Sequence, residues 1–408
     1  MKKLLSITTI LLLSVVPVSG TFAQQIKVGT LFAHTGPLAE FGPHHKNSTD
    51  LAAKQFRKAG LRIKLVHGDT ETSAIPATNA AKKLVEVDKV VAIVGALASG
   101  VTVPVAESVT IPGGVLQISN ASTSPLITVL PADQGKDWLF RTCPSDALQG
   151  VITGKLAAGE GYKSASVLYV NNPYGQGLAE QFKKSFEKRG GKVLAMVPHD
   201  EKAAPSYTAE LKKALKGKPD VLGAFSYPGH ASIYLKEAIE ISNYKNFLFV
   251  DGTKSEKLIE AIGAENLEGM VGTAPGTSLS GSYDAYMVAY GEAYGRVPPV
   301  PFHTNAYDAV AVIGLAAYAA KAQGKEITSA SIRNNLRAVA NPPGEFVKPG
   351  EFKKAFELID QGKDINYEGA AGAVDFDANG DVVTPIEVWK YTGGALATVS
   401  MEFDIPKE

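Results

Sequence analysis

The chain contains a single cysteine, Cys143, among its 408 residues. One cysteine cannot form an intrachain disulfide. It also excludes sites that need several thiolates, such as multi-cysteine zinc or iron–sulfur centres. We expect Cys143 to behave as a small, buried apolar residue.

The sequence also lacks an excess of charge of one sign, because 41 Lys and Arg residues are balanced by 41 Asp and Glu residues. It has no basic tail or patch, so we do not expect nucleic acid as a partner. The composition, 45% hydrophobic and 20% charged, is typical of a soluble globular protein. The length favours two domains.

Long apolar runs are lacking except near the N-terminus, where Lys2 and Lys3 precede the apolar residues 4–18 and small residues follow up to Ala23. This pattern predicts a signal peptide at residues 1–23, since the run is too short to span a bilayer comfortably. Its removal would leave 39 basic and 41 acidic residues, a net charge of about −2. We therefore expect an exported, soluble protein.

Strand-like and helix-like segments alternate from Ile26 onward, which predicts parallel sheets covered by helices on both faces. Predicted strands of a first set are 26–31, 63–67, 90–94 and 115–118, and those of a second set are 166–170, 193–197, 221–225 and 247–250. Predicted helices are 46–59, 75–86, 101–110, 150–160, 177–188, 207–215 and 231–241. We expect an α/β protein with two doubly wound parallel-sheet lobes.

The last third of the chain contains predicted helices at 282–294, 304–323 and 329–339 without strands between them. Residues 369–391 contain strand-like pieces around Asp377-Ala378-Asn379-Gly380, a turn sequence of hairpin type. These elements must complete sheets begun earlier, so the chain is expected to cross between the lobes.

Hydroxyl side chains follow two predicted strands between Ile93 and Pro125: Ser99 after the first, and Ser119, Ser122 and Thr123 after the second. Ligands of open parallel sheets bind outside the carboxyl ends of the strands, near helix N-termini. Such hydroxyls can help backbone amides to hold a carboxylate. The alternative is that they only form turns and cap helices.

Several motifs suggest catalysis or cofactors but are incomplete. Tyr174-Gly175-Gln176-Gly177 lacks the third glycine of a dinucleotide-binding turn, which favours a tight turn that presents Tyr174 at the mouth of the second sheet. Asp375 to Asp381 resembles the start of a calcium loop, but Ile386 occupies its twelfth position. The adjacent His44 and His45 lack metal-ligand spacing. We expect no catalytic residue, no cofactor and no metal.

Asp251 directly follows the apolar strand FLFV and begins a glycine-containing turn. It is either a cap of that turn or a carboxylate that pairs with a cationic group of a ligand. Phe41, Tyr174 and Tyr227 lie on other loops at the predicted ligand edge, where they could supply apolar walls or pack within the fold.

An ordered set of motifs resembles the periplasmic solute-binding proteins of ABC importers, of the branched-chain amino-acid (Leu/Ile/Val) type. The set covers almost the whole mature chain. It comprises Thr35-Gly36-Pro37-Leu38-Ala39, Phe41-Gly42, Ile118-Ser119, Ser122-Thr123-Ser124-Pro125, Phe140-Arg141-Thr142, Tyr174-Gly175-Gln176-Gly177, Val250-Asp251-Gly252, Glu268-Gly269, Tyr307-Asp308-Ala309, Ile365-Asn366-Tyr367-Glu368-Gly369 and Val374-Asp375-Phe376-Asp377.

The resemblance implies a type I periplasmic binding protein, in which three crossing segments join two lobes that close on a ligand. We expect residues 24–142 and 276–345 to form the first lobe, and residues 143–275 and 346–408 the second.

The resemblance also implies roles for individual residues. Ser99 and Thr123, with backbone groups near Ala121 and Ser122, would hold the α-carboxylate of an amino acid. From the second lobe, Tyr174 and Asp251 would approach its α-ammonium group. The side chain would be bordered by Phe41 and Tyr227. The implied protein is periplasmic, monomeric and a partner of a membrane permease.

Two departures from the pattern bear on the ligand. Asp251 stands where leucine-binding members of this type carry the longer Glu, and the loop Ser226-Tyr227-Pro228-Gly229-His230 differs from theirs. The same scaffold serves aromatic carboxylates, amides and other small solutes, so these remain alternatives to an apolar amino acid. A ligand-sensing module is another alternative, and an enzyme would require a catalytic base and nucleophile that the sequence does not display.

Overall fold

The computed structural model of the chain describes residues 25–297 and 299–405. The predicted signal peptide, residues 1–23, lies outside the described residues. None of the described helices combines the length and the apolar composition needed to cross a bilayer.

The first lobe is built on a sheet of five parallel strands in the order β2-β1-β3-β4-β5. The strands are β1 (Gln25–Phe32), β2 (Arg62–Asp69), β3 (Ala92–Gly95), β4 (Leu116–Ser119) and β5 (Leu139–Arg141). The helices between them are α1 (Gly42–Ala59), α2 (Ala74–Lys82), α3 (Ser99–Val105), α4 (Ile111–Gly113) and α5 (Pro125–Thr128). Both β3 and β4 are wholly buried, as expected for strands of a sheet covered on both faces.

The second lobe repeats this strand order as β7-β6-β8-β9-β10 and extends it with an antiparallel pair. Its parallel strands are β6 (Ser164–Val170), β7 (Lys192–His199), β8 (Val221–Phe225), β9 (Phe247–Phe249) and β10 (Val271–Pro275). Its helices are α6 (Asp146–Gly159), α7 (Pro173–Lys188), α8 (Thr208–Ala214), α9 (Pro228–Glu240), α10 (Glu256–Ile262) and α11 (Ala264–Leu267). The expectation of two doubly wound lobes is confirmed.

The remaining elements are divided between the lobes. They are α12 (Gly281–Tyr294), α13 (His303–Ala322), α14 (Ser329–Ala340), β11 (Glu345–Val347), α15 (Phe352–Asp360), β12 (Ile365–Tyr367), β13 (Ile386–Thr392) and β14 (Ala395–Glu402). Helix α13 packs along α1 and so covers the first sheet. Strands β13 and β14 join the second sheet beside β10.

One part of the expected lobe division disagrees with the packing. Residues from 346 onward were assigned to the second lobe, but α15 packs against α1 and α13 of the first lobe. The ring of Phe352 stacks on that of Phe56 at 3.8 Å, and Phe356 stacks on Tyr318 at 3.6 Å. The apolar face of α15 therefore buries its aromatic residues in the first lobe, and only the last two strands return to the second. The other lobe boundaries given in the sequence analysis stay a prediction.

The hairpin lies further along the chain than the sequence indicated. Strands β13 and β14 are joined at Gly393 and Gly394, whose φ angles of 59° and 73° suit glycine. At Asp377 the chain forms a different turn, in which Asp377 Oδ1 accepts hydrogen bonds from the amides of Asn379 at 2.7 Å and Asp381 at 3.0 Å. The Asn-Gly sequence there marks a turn, but it does not connect paired strands.

The chain passes between the lobes three times, at residues 142–145, 276–280 and 382–385. Two of these crossings touch, since the amide of Gly276 donates to the carbonyl oxygen of Pro385 at 2.7 Å. The first crossing is tied to α13 by a pair of hydrogen bonds between Thr142 and Asn305. Three adjacent crossings form a hinge beside the space where the carboxyl ends of both sheets meet.

Candidate ligand-binding cleft

A narrow cavity with a volume of about 20 Å³ lies between the two lobes at the carboxyl ends of their strands. Six of the eight predicted site residues line it: Phe41, Ser99, Ala121, Tyr174, Tyr227 and Asp251. Residues that the sequence analysis did not select complete the wall, namely Leu38, His45, Leu97, Ala98, Gly252 and Phe302. Both lobes therefore contribute to one enclosed site.

The cleft is closed in this structure, since hydrogen bonds join the lobes along its rim. Ser124 Oγ donates to the carbonyl oxygen of Pro173 at 2.8 Å. The amide of Gly229 donates to the carbonyl oxygen of Pro37 at 3.1 Å. Ser255 Oγ donates to the carboxylate of Glu40. These contacts exist only when the lobes are together.

Ser99 is the first residue of α3 and is buried beneath the cavity. Its Oγ accepts a hydrogen bond from the amide of Ser124 at 3.2 Å. The hydroxyl hydrogen is therefore available to another acceptor. The backbone amide of Thr123 makes no hydrogen bond within the described part of the chain. The hydroxyl of Ser99, which lines the cavity, and the amide of Thr123, in the loop beyond the lining residue Ala121, are two donors suited to a carboxylate.

The two remaining predicted residues, Ser122 and Thr123, use their hydroxyls inside the protein. Ser122 Oγ lies 2.7 Å from Thr102 Oγ1 and 3.2 Å from the carbonyl oxygen of Ala96. Thr123 Oγ1 donates to Asp146 Oδ2 at 2.9 Å. Because Thr123 has a single hydroxyl hydrogen, this side chain cannot also donate to a ligand carboxylate while that bond is kept.

Asp251 is buried opposite these donors, in a single 3₁₀ turn (Asp251–Thr253) that follows β9. Its Oδ1 accepts hydrogen bonds from Tyr174 Oη and from Gln149 Nε2, both at 2.8 Å. The amide of Gly252 donates to Tyr174 Oη at 3.1 Å. Asp251 is therefore fixed by side chains from α6 and α7.

Tyr174 lies in the first turn of α7 and not in a separate turn before the helix. Asn172 caps this helix, since its Oδ1 accepts from the amides of Tyr174 and Gly175, each at 3.1 Å. Pro173 follows at the first helical position, where its missing N–H costs nothing. This Asn-Pro start could have been read from the sequence, but the predicted helix began at Gly177.

Asp146, which the sequence analysis missed, is a second buried carboxylate in the same region. It begins α6, and its Oδ1 has no hydrogen-bond partner in the described part of the chain. Its amide donates to the carbonyl oxygen of Thr123 at 2.7 Å. A lone aspartate at a helix start resembles an ordinary cap, so no sequence signal distinguished it.

Burial shapes the charge of both carboxylates. Burial raises the pKa of Asp251 to about 6, while hydrogen bonds from Tyr174 and Gln149 offset part of that effect. Burial also raises the pKa of Asp146 well above its usual value, and the charge of Asp251 raises it further. A cation placed near these two carboxylates would favour their ionised forms.

Aromatic and aliphatic side chains form the rest of the wall. The rings of Tyr174 and Tyr227 stack at 5.6 Å, and Tyr227 Oη accepts from Asn172 Nδ2 at 3.0 Å. On the first lobe the ring of Phe41 stacks on that of His45 at 6.4 Å. His45 is neutral because burial lowers its pKa to about 3. The cavity therefore also presents uncharged surface for an apolar group.

Arg141 lies behind the loop that carries Ser122, Thr123 and Ser124, which we call the hydroxyl-bearing loop, and holds it in place. Its guanidinium donates to the carbonyl oxygens of Ser122 at 3.3 Å and Ser124 at 3.0 Å. The same side chain is wholly buried and pairs with Asp381. The sequence contained this residue within a family motif but gave no sign of its partner 240 positions away.

Comparison with known proteins agrees with the arrangement of two lobes around one cleft. The sequence profile of a family described as periplasmic binding proteins matches residues 25–383. The chain belongs to this family.

Curated relatives of this chain cover most of its length. A chemotactic signal transduction system substrate-binding protein of Halobacterium salinarum is 27% identical over 384 residues, 92% of this chain and 89% of the relative. A leucine-, isoleucine-, valine-, threonine- and alanine-binding protein of Pseudomonas aeruginosa is 28% identical over 337 residues, 81% of this chain and 88% of the relative.

Solved structures share the fold of this periplasmic binding protein. A solute-binding protein of an ABC transporter from R. palustris, in complex with benzoate, superposes with a TM-score of 0.76. It is 19% identical, and the match covers 94% of this chain and 98% of that one. The type I periplasmic binding protein fold expected from the sequence is confirmed.

Proposed function

We propose that this protein is the substrate-binding component of an ABC importer and that it encloses an apolar amino acid, of branched-chain or related type, between its lobes. The observation that carries the proposal is the distribution of polar groups in the cleft. The first lobe has hydrogen-bond donors in Ser99, which lines the cleft, and in the amide of Thr123, which lies in the loop just beyond it, and the carboxylate of Asp251 lies on the other lobe. An α-amino acid has complementary groups at both positions.

The ligand carboxylate would accept hydrogen bonds from Ser99 Oγ and the amide of Thr123, at the N-terminal end of α3. The α-ammonium group would pair with Asp251 and lie near Asp146. These contacts replace water around buried groups, and a few charge-assisted hydrogen bonds can support micromolar affinity, about 8 kcal/mol. The ligand side chain would then contact Phe41, Tyr227 and their apolar neighbours.

Closure of the two lobes would link ligand binding to recognition by a membrane permease. A ligand that contacts both lobes stabilises the closed state over the open one, and a membrane permease would recognise that state. We further propose that residues 1–23 are removed on export and that the mature protein acts in the periplasm as a monomer. In this function the bound solute is delivered unchanged, so turnover of a solute by the purified protein would contradict it.

An aromatic carboxylate is the second candidate ligand, because the R. palustris protein of the same fold is in complex with benzoate. Benzoate has a carboxylate for Ser99 and Thr123 but no cation for the second lobe. It would leave Asp251, whose pKa of about 6 keeps it ionised at neutral pH, buried without a positive partner, which is costly. The charges of the cleft therefore favour the amino acid.

A thermal-shift screen of the purified protein against the standard amino acids, benzoate and small amides tests the ligand class. Apolar amino acids should raise the melting temperature, since a ligand that binds only the folded state stabilises it. A clear shift with benzoate or an amide and none with any amino acid would contradict the proposal. A role in sensing instead of import would be indicated if the same amino acid bound but deletion of the gene left its uptake unchanged.

A further inference from the structure

A second cavity lies beside the hinge and is larger than the cleft, with a volume of about 270 Å³ against about 20 Å³. We call it the hinge cavity and define it by Lys254, Tyr283, Phe302, His303, Glu387 and Thr398. Its walls come from α12 and α13 of the first lobe and from β13 and β14 of the second. Its volume of about 270 Å³ is close to the lower end of small-molecule sites, about 300 Å³.

His303 lines this cavity, and one of its ring nitrogens has no hydrogen-bond partner among the described residues. Ser48 Oγ donates its hydrogen to the carbonyl oxygen of His44 at 3.0 Å, so it accepts from Tyr286 Oη at 2.8 Å. Tyr286 Oη must then accept from His303 Nδ1, also at 2.8 Å. The hydrogen of the neutral imidazole is therefore on Nδ1, and Nε2 carries a lone pair.

The neutral form of His303 follows from its surroundings. Its exposed fraction is 8%, and burial lowers its pKa to about 3, with further contributions from His45, His44 and Lys254. Nε2 has no hydrogen-bond partner in the described part of the chain. An unpaired acceptor on a buried ring that faces a cavity is normally satisfied by water or by a ligand.

Lys254 supplies unused donors on the same cavity. Its ammonium group pairs with Glu387 Oε2, and Glu387 Oε1 accepts from Thr398 Oγ1 at 2.6 Å. Both carboxylate oxygens of Glu387 are therefore engaged, whereas two of the three N–H groups of Lys254 have no partner among the described residues. Since the charges of the pair cancel, the cavity wall favours a ligand without net charge.

We propose that the hinge cavity is a second binding site, for a small molecule without net charge that carries a donor for His303 Nε2 and a carbonyl or carboxylate acceptor for Lys254. Primary amides and zwitterionic amino acids share this chemistry. This inference goes beyond the proposed function and does not depend on which solute occupies the cleft.

Occupation of the hinge cavity is coupled to closure because its walls belong to both lobes. Phe302 lines the hinge cavity on one side and the cleft on the other. The adjacent Asn305 is hydrogen-bonded to Thr142 in the first crossing, where Nδ2 donates to the carbonyl oxygen at 2.6 Å. A molecule in the hinge cavity therefore changes the affinity of the cleft for its solute, and the solute changes the affinity of the hinge cavity by the same factor.

Nitrogen-15 NMR of the histidine side chains, with acetamide as the probe, tests this site. Acetamide should shift the Nε2 signal of His303 with saturable, millimolar binding, because its N–H donates to that lone pair. N,N-dimethylacetamide lacks the donor and should leave the signal in place. His303→Phe identifies the signal by its loss, and the signal of His230, which lies in the second lobe, serves as the internal control.

A second variant keeps the test decisive if His303→Phe fails to fold. The double variant Lys254→Met and Glu387→Met removes both charges together, so no buried charge is left unpaired. It should raise the dissociation constant for acetamide at least fivefold. A shift that does not saturate, an equal shift with N,N-dimethylacetamide, or unchanged affinity in the double variant would overturn the proposal.

Discussion

Arg141 and Asp381 form a bidentate ion pair between the end of β5 and the segment that leads into the third crossing. Arg141 Nε donates to Oδ1 at 2.7 Å, and a terminal nitrogen donates to Oδ2 at 2.8 Å. The same guanidinium binds the carbonyl oxygens of the hydroxyl-bearing loop. One buried side chain thus fixes both a binding loop and a hinge segment.

Replacement of Arg141 by Lys should lower the free energy of unfolding by about 3 kcal/mol, because a buried ion pair loses its paired geometry. Arg337→Lys is the matched control, since Arg337 pairs with Asp137 at 2.7 Å on a partly exposed surface. That substitution should cost less than about 1 kcal/mol. Denaturant titration measures both, and equal losses would show that burial of Arg141 does not matter.

Ser99→Ala and Thr123→Val should separate two roles that the sequence analysis had joined. Ser99→Ala should weaken binding of L-leucine about tenfold, or about 1.4 kcal/mol, because the hydroxyl donor to the ligand is lost. Thr123→Val should instead lower the stability of the unliganded protein by about 1–3 kcal/mol, because it removes a hydrogen bond to the buried Asp146.

Calorimetry of leucine binding and thermal unfolding without ligand measure these two quantities. Ser108→Ala is the control, because Ser108 is exposed and hydrogen-bonds only the carbonyl oxygen of Pro104. A tenfold affinity loss in Thr123→Val without loss of stability would show that the Thr123 hydroxyl contacts the ligand directly.

Binding of L-leucine should weaken as the pH falls through about 6, the pKa to which burial raises Asp251. The ammonium group requires an ionised carboxylate, so affinity should be roughly tenfold lower at pH 5 than at pH 8. Asp251→Asn should bind weakly, and its affinity should be almost independent of pH over this range. A wild-type affinity that is the same at pH 5 and pH 8 would contradict the pairing.

The same carboxyl group makes a defined contribution to the pH dependence of stability without ligand. Its pKa is raised on folding from the usual 3.8 to about 6, so the folded state binds the proton more tightly. Its contribution to the free energy of unfolding is therefore present below about pH 4 and is lost as the pH rises to about 6. The difference in stability between wild type and Asp251→Asn should change over that window and be constant above it.

Gly252→Ala should disturb both the backbone and the side chains of the cleft. A Cβ atom at Gly252 would lie 2.3 Å from the carbonyl oxygen of Ser226 and 2.7 Å from Tyr174 Oη. The hydroxyl of Tyr174 would have to move away from Asp251, and leucine affinity should fall about tenfold. In α12, Gly291→Ala is the control, since nothing lies within 4 Å of its added Cβ. It should leave binding unchanged and stabilise the helix by about 0.5–1 kcal/mol.

The order of strands and helices could be predicted because each segment carries its own periodicity and turn residues. Ser99 and Asp251 could be selected because each lies in the loop after an apolar strand, and parallel strands end on the same side of a sheet. The partners that fix the positions of these residues and shift their pKa values could not be predicted. Gln149 and Asp146 lie on a helix whose polar positions resemble a solvent-exposed surface, and Asp381 is distant from Arg141 in sequence.

The dependence on contacts between residues distant in sequence also explains why the hairpin turn and the lobe of α15 were predicted wrongly. Asn379-Gly380 and Gly393-Gly394 are both good turn sequences, and only the pairing of β13 with β14 shows which one closes a hairpin. Likewise, the apolar face of α15 is evident from its spacing, but the lobe that it covers depends on the long-range contact of Phe352 with Phe56.

The central claim is that the cleft recognises a carboxylate and an ammonium group on one ligand. Calorimetric titration with L-leucine, L-leucinamide and 4-methylpentanoate tests it directly, because the last two lack the carboxylate and the ammonium group respectively. We predict that leucine binds with micromolar affinity and that each analogue binds at least tenfold more weakly. Binding of 4-methylpentanoate as tight as that of leucine would contradict the role of Asp251, and equal binding of L-leucinamide would contradict that of Ser99 and Thr123.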